Sequence, residues 1–427
     1  MPRVSSAFAT PFARCVNTLL NRRENFVFCL CIVVRRGREP VAYLTAAAMP
    51  SVFCFFRDSL QRRRALAAEP GAAERYVLFG LDQLRERGFQ ARHNLESAAA
   101  PPPWARLSGG AMKRALETAG GYGGDFATVL ASLRLANRAD VVHSTVDTVG
   151  IPLMLLKRAG RLRPPLVYVA IGLPERLALL RTERMRRLYA SALASCTAVV
   201  AYSEKEAEDI RRWMARQGGG DVRVEFVPFG VDTSGFAPEG RIATSGVVSV
   251  GADPHRDFGL LLRIARRMPE VAFRIVTTAD HVRALPSPPA NVALESDLPF
   301  EQMRRRLEAA RLVALPVREN SYSGATTVLL QGMALGKPVV VTRTSAIATG
   351  YGLVDGENAR LIEPGDEAGF EKAVADLLRD DFHARALGAS ARVTVERELT
   401  WERYVSRIEQ LLRDAAAVQG PSRSELG

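Results

Sequence analysis

Two doubly wound, Rossmann-like α/β domains facing across a cleft are what this sequence predicts. Apolar runs of strand length recur at residues 140–144, 165–171, 246–251, 272–277, 310–316 and 339–341, with amphipathic stretches of helical length between them. Such alternation builds parallel sheets covered by crossover helices. The chain of 427 residues is too long for one ordinary core and fits two. Residues 321–342 read as half of a βαβ unit: a small polar loop, a helix, a glycine stop and an apolar strand.

That last stretch is the most informative. After Tyr322 the loop has no bulky side chain, and an apolar helical run follows over 327–335, carrying Val328, Leu329, Met333 and Leu335. Gly336 stops the helix, Lys337 and Pro338 turn the chain, and residues 339–341 are a valine strand buried on both faces. A glycine-containing loop at a helix N-terminus presents unpaired N–H groups and the positive end of the helix dipole, which suits a phosphate. The candidate ligands are the backbone groups of Gly324, Ala325, Thr326 and Thr327. The plainer role of such a loop is close packing of a helix on its strand.

With 47% apolar and 24% charged residues the chain is globular and outside the disordered class. Its net charge of +12 comes mostly from arginine. An anionic membrane surface is a candidate partner for that charge, and a GC-rich coding sequence is its bland source. Nucleic acid is disfavoured, because no zinc-finger or RRM signature is present. Cys15, Cys29, Cys31, Cys54 and Cys196 form neither an even framework nor a metal spacing, so a reducing, cytoplasmic location is expected, with the inner face of the membrane as its peripheral variant.

Taken in order, residues 1–70 read as an atypical extension of low order. They hold four of the five cysteines, abundant arginine and no lysine, and the apolar run at 26–34 is too short to span a bilayer. Arg35 and Arg36 stand where a signal peptide would be cleaved, and Met49 is an alternative start. A first domain is expected over 74–240, opening with a strand at 76–80 and a helix at 81–88 stopped by Gly88. Loops follow around 98–103, 109–110 and 120–124, then the strand at 140–144, where His143 reads as a satisfied strand-end residue. Glu175 comes just after the strand at 165–171, on the end of the sheet where open α/β folds bind ligands, or else serves as a helix N-terminal acid. Residues 176–194 read as one basic amphipathic helix, and Ser203 caps the next, with Glu206 in the capping-box position. A second domain is expected over 245–400, then a helix at 401–415 and a polar tail at 416–427.

Residues 329–340, Leu-Leu-Gln-Gly-Met-Ala-Leu-Gly-Lys-Pro-Val-Val, resemble the tail of the donor-site signature of the retaining glycosyltransferases of family 4, which have the GT-B fold. The strand ending at Ser203 and Glu204 resembles that family's Val-Val-Ala-Val-Ser-Glu strand. Residues 226–238 resemble its hinge, Pro-Asn-Gly-Val-Asp followed by Phe-x-Pro, with Phe229 in place of the asparagine. The resemblance runs over residues 74–415. It implies an acceptor-side first domain, a second domain that binds a nucleotide diphosphate sugar, and a last helix that crosses back to the first domain.

The same resemblance implies roles for single residues. Arg256 is the cation placed to pair with the donor pyrophosphate, a planar fork for phosphate oxygens. Gln331 stands where the family has a ribose-binding glutamate and keeps a carbonyl acceptor without the charge. The acid that touches the transferred sugar falls on Ser323, with Glu319 four residues earlier as its substitute. Ser296 or Asp297 replaces the glycine of a turn whose backbone meets the base. Only Gly80 remains of the first domain's glycine-rich turn, and the strand-end histidine is replaced by Ala170 or Ile171. No metal and no cofactor beyond the nucleotide-sugar donor is implied. The expected function is transfer of a sugar, with retention, to an acceptor that these residues do not name. A degenerate GT-B protein that binds a nucleotide sugar or a partner is compatible with Ser323 and Gln331, and a polyanion binder with the charge alone.

Overall fold

The computed structural model describes residues 28–30, 44–46, 50–97, 100–240, 245–322 and 324–418. Ser323, Met49, Arg35, Arg36, most of the run at 26–34 and the tail beyond residue 418 lie outside the described residues. β1 (Phe28–Leu30) and β2 (Leu44–Ala46) pair antiparallel as a two-stranded ribbon.

Two parallel six-stranded sheets make up the rest. The first contains β3 (Ser51–Phe55), β4 (Gln90–His93), β5 (Val141–Ser144), β6 (Leu166–Ala170), β7 (Ala198–Ala201) and β8 (Val224–Phe226), in the order β4-β3-β5-β6-β7-β8. The second contains β9 (Ser245–Val250), β10 (Phe273–Thr277), β11 (Val292–Ser296), β12 (Ala310–Leu315), β13 (Val339–Thr342) and β14 (Arg360–Ile362), in the order β11-β10-β9-β12-β13-β14. That second order is the one found in dinucleotide-binding sheets. Helices cover both faces, which is why β5, β6, β7 and β13 are buried at every position and read as unbroken apolar runs. Strand order reverses between β3 and β5 in one sheet and between β9 and β12 in the other. Crevices for ligands open at such reversals, beyond the carboxyl ends of the strands.

The start of the first domain differs from expectation. Residues 51–67 are not part of an extension: β3 lies inside the first sheet, paired with β4 and β5, and the helix Leu60–Ala67 follows it. Val52, Phe53, Cys54 and Phe55 are buried on both faces, so this five-residue run is a core strand despite the arginine-rich chain around it. Residues 76–80 do not form a strand. They belong to a 3₁₀ turn, Ala73–Leu78, ended by Phe79 at φ 52° and Gly80 at φ 85°. Gly80 does not face a ligand either, because a Cβ there would lie 2.9 Å from Val405 of the last helix. The basic stretch expected as one helix is two, Leu173–Ala178 and Glu183–Leu193, the second capped by Thr182. Glu206 does not close a capping box; its carboxylate, fully buried, instead accepts the N–H groups of Gly172 at 2.7 Å and Leu173 at 3.2 Å.

The chain ends on the domain where it began. The helix Trp401–Ala417 buries Tyr404, Val405, Ile408, Leu411 and Leu412 in one apolar cluster with Val52, Cys54, Val141 and Val167 of the first sheet. At the crossing, Val231 N–H donates to Leu399 O at 2.9 Å and Trp401 N–H to Val231 O at 2.9 Å. Gly230 permits that approach, since a Cβ there would stand 2.4 Å from Thr400 O. Phe229, which replaces the hinge asparagine, packs against Tyr202, Trp401 and Tyr404 with ring centres 5.3, 5.6 and 5.0 Å away. The apolar substitution fits an aromatic knot. Leu412 is fully buried there, so Leu412→Ala is expected to lower stability by about 2–5 kcal/mol in chemical denaturation. A change below about 1 kcal/mol would show that the helix contributes no core.

Candidate active site between the two sheets

The second sheet's reversal opens on a cavity of about 360 Å³, within the roughly 300–1,000 Å³ common for small-molecule sites. Its wall starts where β9 ends. The turn after Val250 carries Asp253, whose carbonyl accepts Arg256 N–H at 3.1 Å, and Arg256 forms a backbone bridge to Val317 beyond β12. The Arg256 side chain is only 5% exposed. One terminal nitrogen donates to Val250 O, while Nε and the other terminal nitrogen have no partner. Burial pushes its pKa down to about 10, with Asp253 opposing. A desolvated cation with two free donors is unfavourable by itself and calls for an anion.

The loop after β12 completes the wall. Tyr322 Oη donates to Asp253 Oδ2 at 2.7 Å, and the same carboxylate accepts His255 N–H at 2.8 Å, so Asp253 ties the loop to the Arg256 turn. Gly324 presses on Asp253; a Cβ there would lie 2.5 Å from its Cγ. Its N–H donates to Tyr322 O at 2.9 Å and is therefore not free for a ligand, a correction to the expectation. The helix Thr326–Ala334 begins without a side-chain cap at Ala325, which leaves its first N–H groups open. Thr326 Oγ1 and Gln331 Oε1 are buried without a partner.

Arg256, Gly324, Thr327 and Gln331 line the cavity, whereas Ala325 and Thr326 sit behind it, buried at the base of the helix. The two acids do not converge there. Glu319 is exposed and accepts Ser345 N–H at 3.0 Å, which turns its carboxylate toward the chain after β13. Glu175 Oε2 lies 3.6 Å from His255 Nε2 across the cleft, outside the cavity lining. His143 is buried in β5, and burial holds its pKa down at about 4, so it is a neutral core residue.

Sequence reasoning missed the roof. Leu60, Gln61, Arg64, Glu74 and Tyr76 of the first domain close over the second. The Tyr76 ring lies 5.9 Å from Phe300, and its hydroxyl accepts Gln61 Nε2 at 3.5 Å beside Gln331; burial pushes its pKa up while the two amides pull it down. Tyr76 lies in the run whose pattern predicts a strand, and its reach across the cleft leaves no local signal. On the floor, Asp297 takes φ 53°, the left-handed conformation of the glycine it replaces, and Oδ2 accepts Ala279 N–H at 3.2 Å.

Residues 249–380, the core of this second domain, match the family described as Glycosyl transferases group 1. The chain is 26% identical over 211 residues to "MMP alpha-(1->4)-mannosyltransferase" of Mycolicibacterium hassiacum, covering 46% of this chain and 49% of that protein. It is 25% identical over 220 residues to "GDP-mannose-dependent alpha-(1-6)-phosphatidylinositol monomannoside mannosyltransferase" of Mycolicibacterium smegmatis, covering 45% and 57%. The chain thus spans about half the length of the curated relatives it matches. Among solved structures, sucrose-phosphate synthase from Thermosynechococcus elongatus superposes with a TM-score of 0.65 at 15% identity, over 86% of this chain and 100% of that one. Anabaena HepE in complex with UDP-glucose gives 0.59 at 15% identity, over 86% and 100%. These likenesses establish the GT-B fold.

If Arg256 is kept for a ligand rather than for stability, removing it costs the empty protein little. Arg256→Met is expected to move unfolding free energy by no more than about 1 kcal/mol in thermal or urea melts. A loss of several kcal/mol would mark a structural cation.

Proposed function

We propose, from a second domain of the group 1 glycosyltransferase family set in a GT-B fold, that this protein moves a hexosyl group with retention from a nucleotide diphosphate sugar to an acceptor. The observation that carries the reading is Arg256, buried at the β9/β12 reversal with two free guanidinium nitrogens beside an uncapped helix N-terminus. A pyrophosphate between them satisfies both, and the base lies toward Asp297 and Leu298 on the floor. The departing diphosphate gathers negative charge in the transition state, so a fixed cation and aligned N–H dipoles stabilise it without reorganising. The roof from the first domain keeps water out and limits donor hydrolysis.

Gln331 fits this role better than a glutamate would in the same place. It is 2% exposed and lies beside Tyr76, so an ionised carboxylate would be desolvated beside a neutral phenol. Its amide keeps an acceptor for the ribose diol at no such cost. Both relatives named above are called mannosyltransferases, one of them GDP-mannose-dependent, so a GDP-hexose is the first donor to try and a UDP-hexose the second. A binding-only, degenerate protein is the second reading, favoured by Glu319 being turned to Ser345.

Contact with an anionic membrane belongs to the same proposal. Leu179, 75% exposed, stands between the helices Leu173–Ala178 and Glu183–Leu193, the second of them basic, and Trp104 and Leu107 are exposed on the helix Pro103–Thr118. Among the described residues no helix is long and apolar enough to cross a membrane.

Calorimetric titration of GDP, UDP and their hexose derivatives tests the donor site. One nucleotide is expected to bind, with Arg256→Ala weakening it by about ten- to a hundredfold. Release of free nucleoside diphosphate from the matching sugar separates transfer from binding alone. Failure of every nucleotide to bind would end the reading.

A further inference from the structure

The first-domain roof over the donor cavity is braced from behind. Arg75, 8% exposed, donates from Nη1 to Ala65 O at 2.7 Å and Ala68 O at 3.0 Å, at the end of the helix Leu60–Ala67. Its Nη2 donates to Asp82 Oδ1 at 2.6 Å, on the helix Leu81–Glu86. Arg62 Nε donates to Val77 O at 3.2 Å and so ties the first of these helices to the 3₁₀ turn Ala73–Leu78. The whole connection between β3 and the helix Leu81–Glu86 is therefore one packed unit.

Two charges on this unit stay uncommitted. Arg64, which is exposed, and Glu74, which is half-buried, both line the cavity. Neither makes an ion pair or a side-chain hydrogen bond among the described residues, with each other or with anything else. Their neighbours are engaged: Arg63 pairs with Asp58 at 2.8 Å, and Arg75 with Asp82. Tyr76, two residues after Glu74, reaches down to the floor, its ring 5.9 Å from Phe300. Phe300 opens the helix Phe300–Ala309 just after Asp297 and Leu298, so the Glu74 end of the roof stands over the part of the floor proposed for the base. The floor's own acid is occupied there, because Asp297 Oδ2 accepts Ala279 N–H at 3.2 Å.

We infer that the first domain selects the donor base, Glu74 and Arg64 reading a guanine, so that the donor is a guanosine diphosphate sugar. Guanine presents two adjacent donors, N1–H and the 2-amino group, that one carboxylate accepts together. Beside them lie O6 and N7, which a guanidinium fork takes. Uracil offers a single N–H between two carbonyls, so a carboxylate meeting it faces a repelling oxygen on either side. A site built for paired N–H groups rejects a base that leaves its carboxylate unmatched. The inference rests on the nucleotide-sugar reading above and adds to it a first-domain share in the choice of donor.

The test is a ratio of affinities. GDP, UDP and inosine diphosphate, which lacks the 2-amino group, are titrated calorimetrically into the whole protein and into Glu74→Gln and Arg64→Ala. GDP is expected to bind about ten- to a hundredfold tighter than UDP, with inosine diphosphate between them. Each roof variant is expected to cut the GDP-over-UDP ratio by about fivefold or more while UDP affinity stays within about twofold. Arg256→Ala, which removes the diphosphate's cation, weakens both nucleotides alike and leaves the ratio as it was. A ratio near one, a ratio unmoved in both roof variants, or an equal loss of GDP and UDP in them overturns base selection and leaves the donor site standing. Binding of none of the diphosphates removes the donor site and the inference with it. A thermal melt of each variant confirms that it is folded.

Discussion

The two sheets meet across one cavity because the last helix is built into the first core. Trp401–Ala417 is continuous in sequence with the second domain, yet Tyr404, Ile408 and Leu412 are packed among the strands of the first. Burying several large side chains at about 25 cal/mol per Å² outweighs what a free interdomain linker could resist by chain stiffness. The backbone exchange between Val231 and residues 399–401, and the ring cluster around Phe229, then set the angle at which the sheets meet. Tyr202 and Tyr404 share a hydrogen bond of 2.8 Å within that knot, so even its polar atoms are paired.

The cavity between the sheets is built on the opposite rule. There, Arg256 and Gln331 keep buried polar atoms unpaired, as does Thr326 just behind them. Native interiors rarely tolerate such groups, since each costs on the order of 1–3 kcal/mol. Unpaired buried atoms occur elsewhere as well, at His143, Thr148, Glu206, Ser249 and Asn320, and what sets this group apart is that Arg256 and Gln331 line one cavity at a strand-order reversal. Asp253 accepts from Tyr322 and His255 at once, which ties the turn that carries Arg256 to the small-residue loop.

The site was partly legible in the sequence. Arg256, Gly324, Thr327 and Gln331 lie in local patterns, a turn after a strand and a loop before a helix, and local patterns are what a sequence displays. Glu319 is a candidate by its place four residues before Ser323 and Glu175 by its place past a strand end, but the Glu319 carboxylate accepts Ser345 N–H and that of Glu175 lies against His255. Tyr76 and the helix Leu60–Ala67 could not be placed without the fold, because they reach the cavity across a domain boundary. β3 was hidden for a related reason: five apolar residues among arginines carry too little periodicity to announce a central strand.

By itself, then, the sequence determined the α/β class, the division into two doubly wound units and the stretch from the small-residue loop through β13. Each follows from periodicity, glycine stops and strand-length apolar runs, properties that residues near one another express together. Only the tertiary structure decided where the first domain begins, that Gly80 serves the last helix, and that Tyr76 covers Gln331. It also decided which polar atoms stay unpaired. Those outcomes depend on which surfaces meet when distant segments pack, and burial is a property of the whole fold rather than of any one segment.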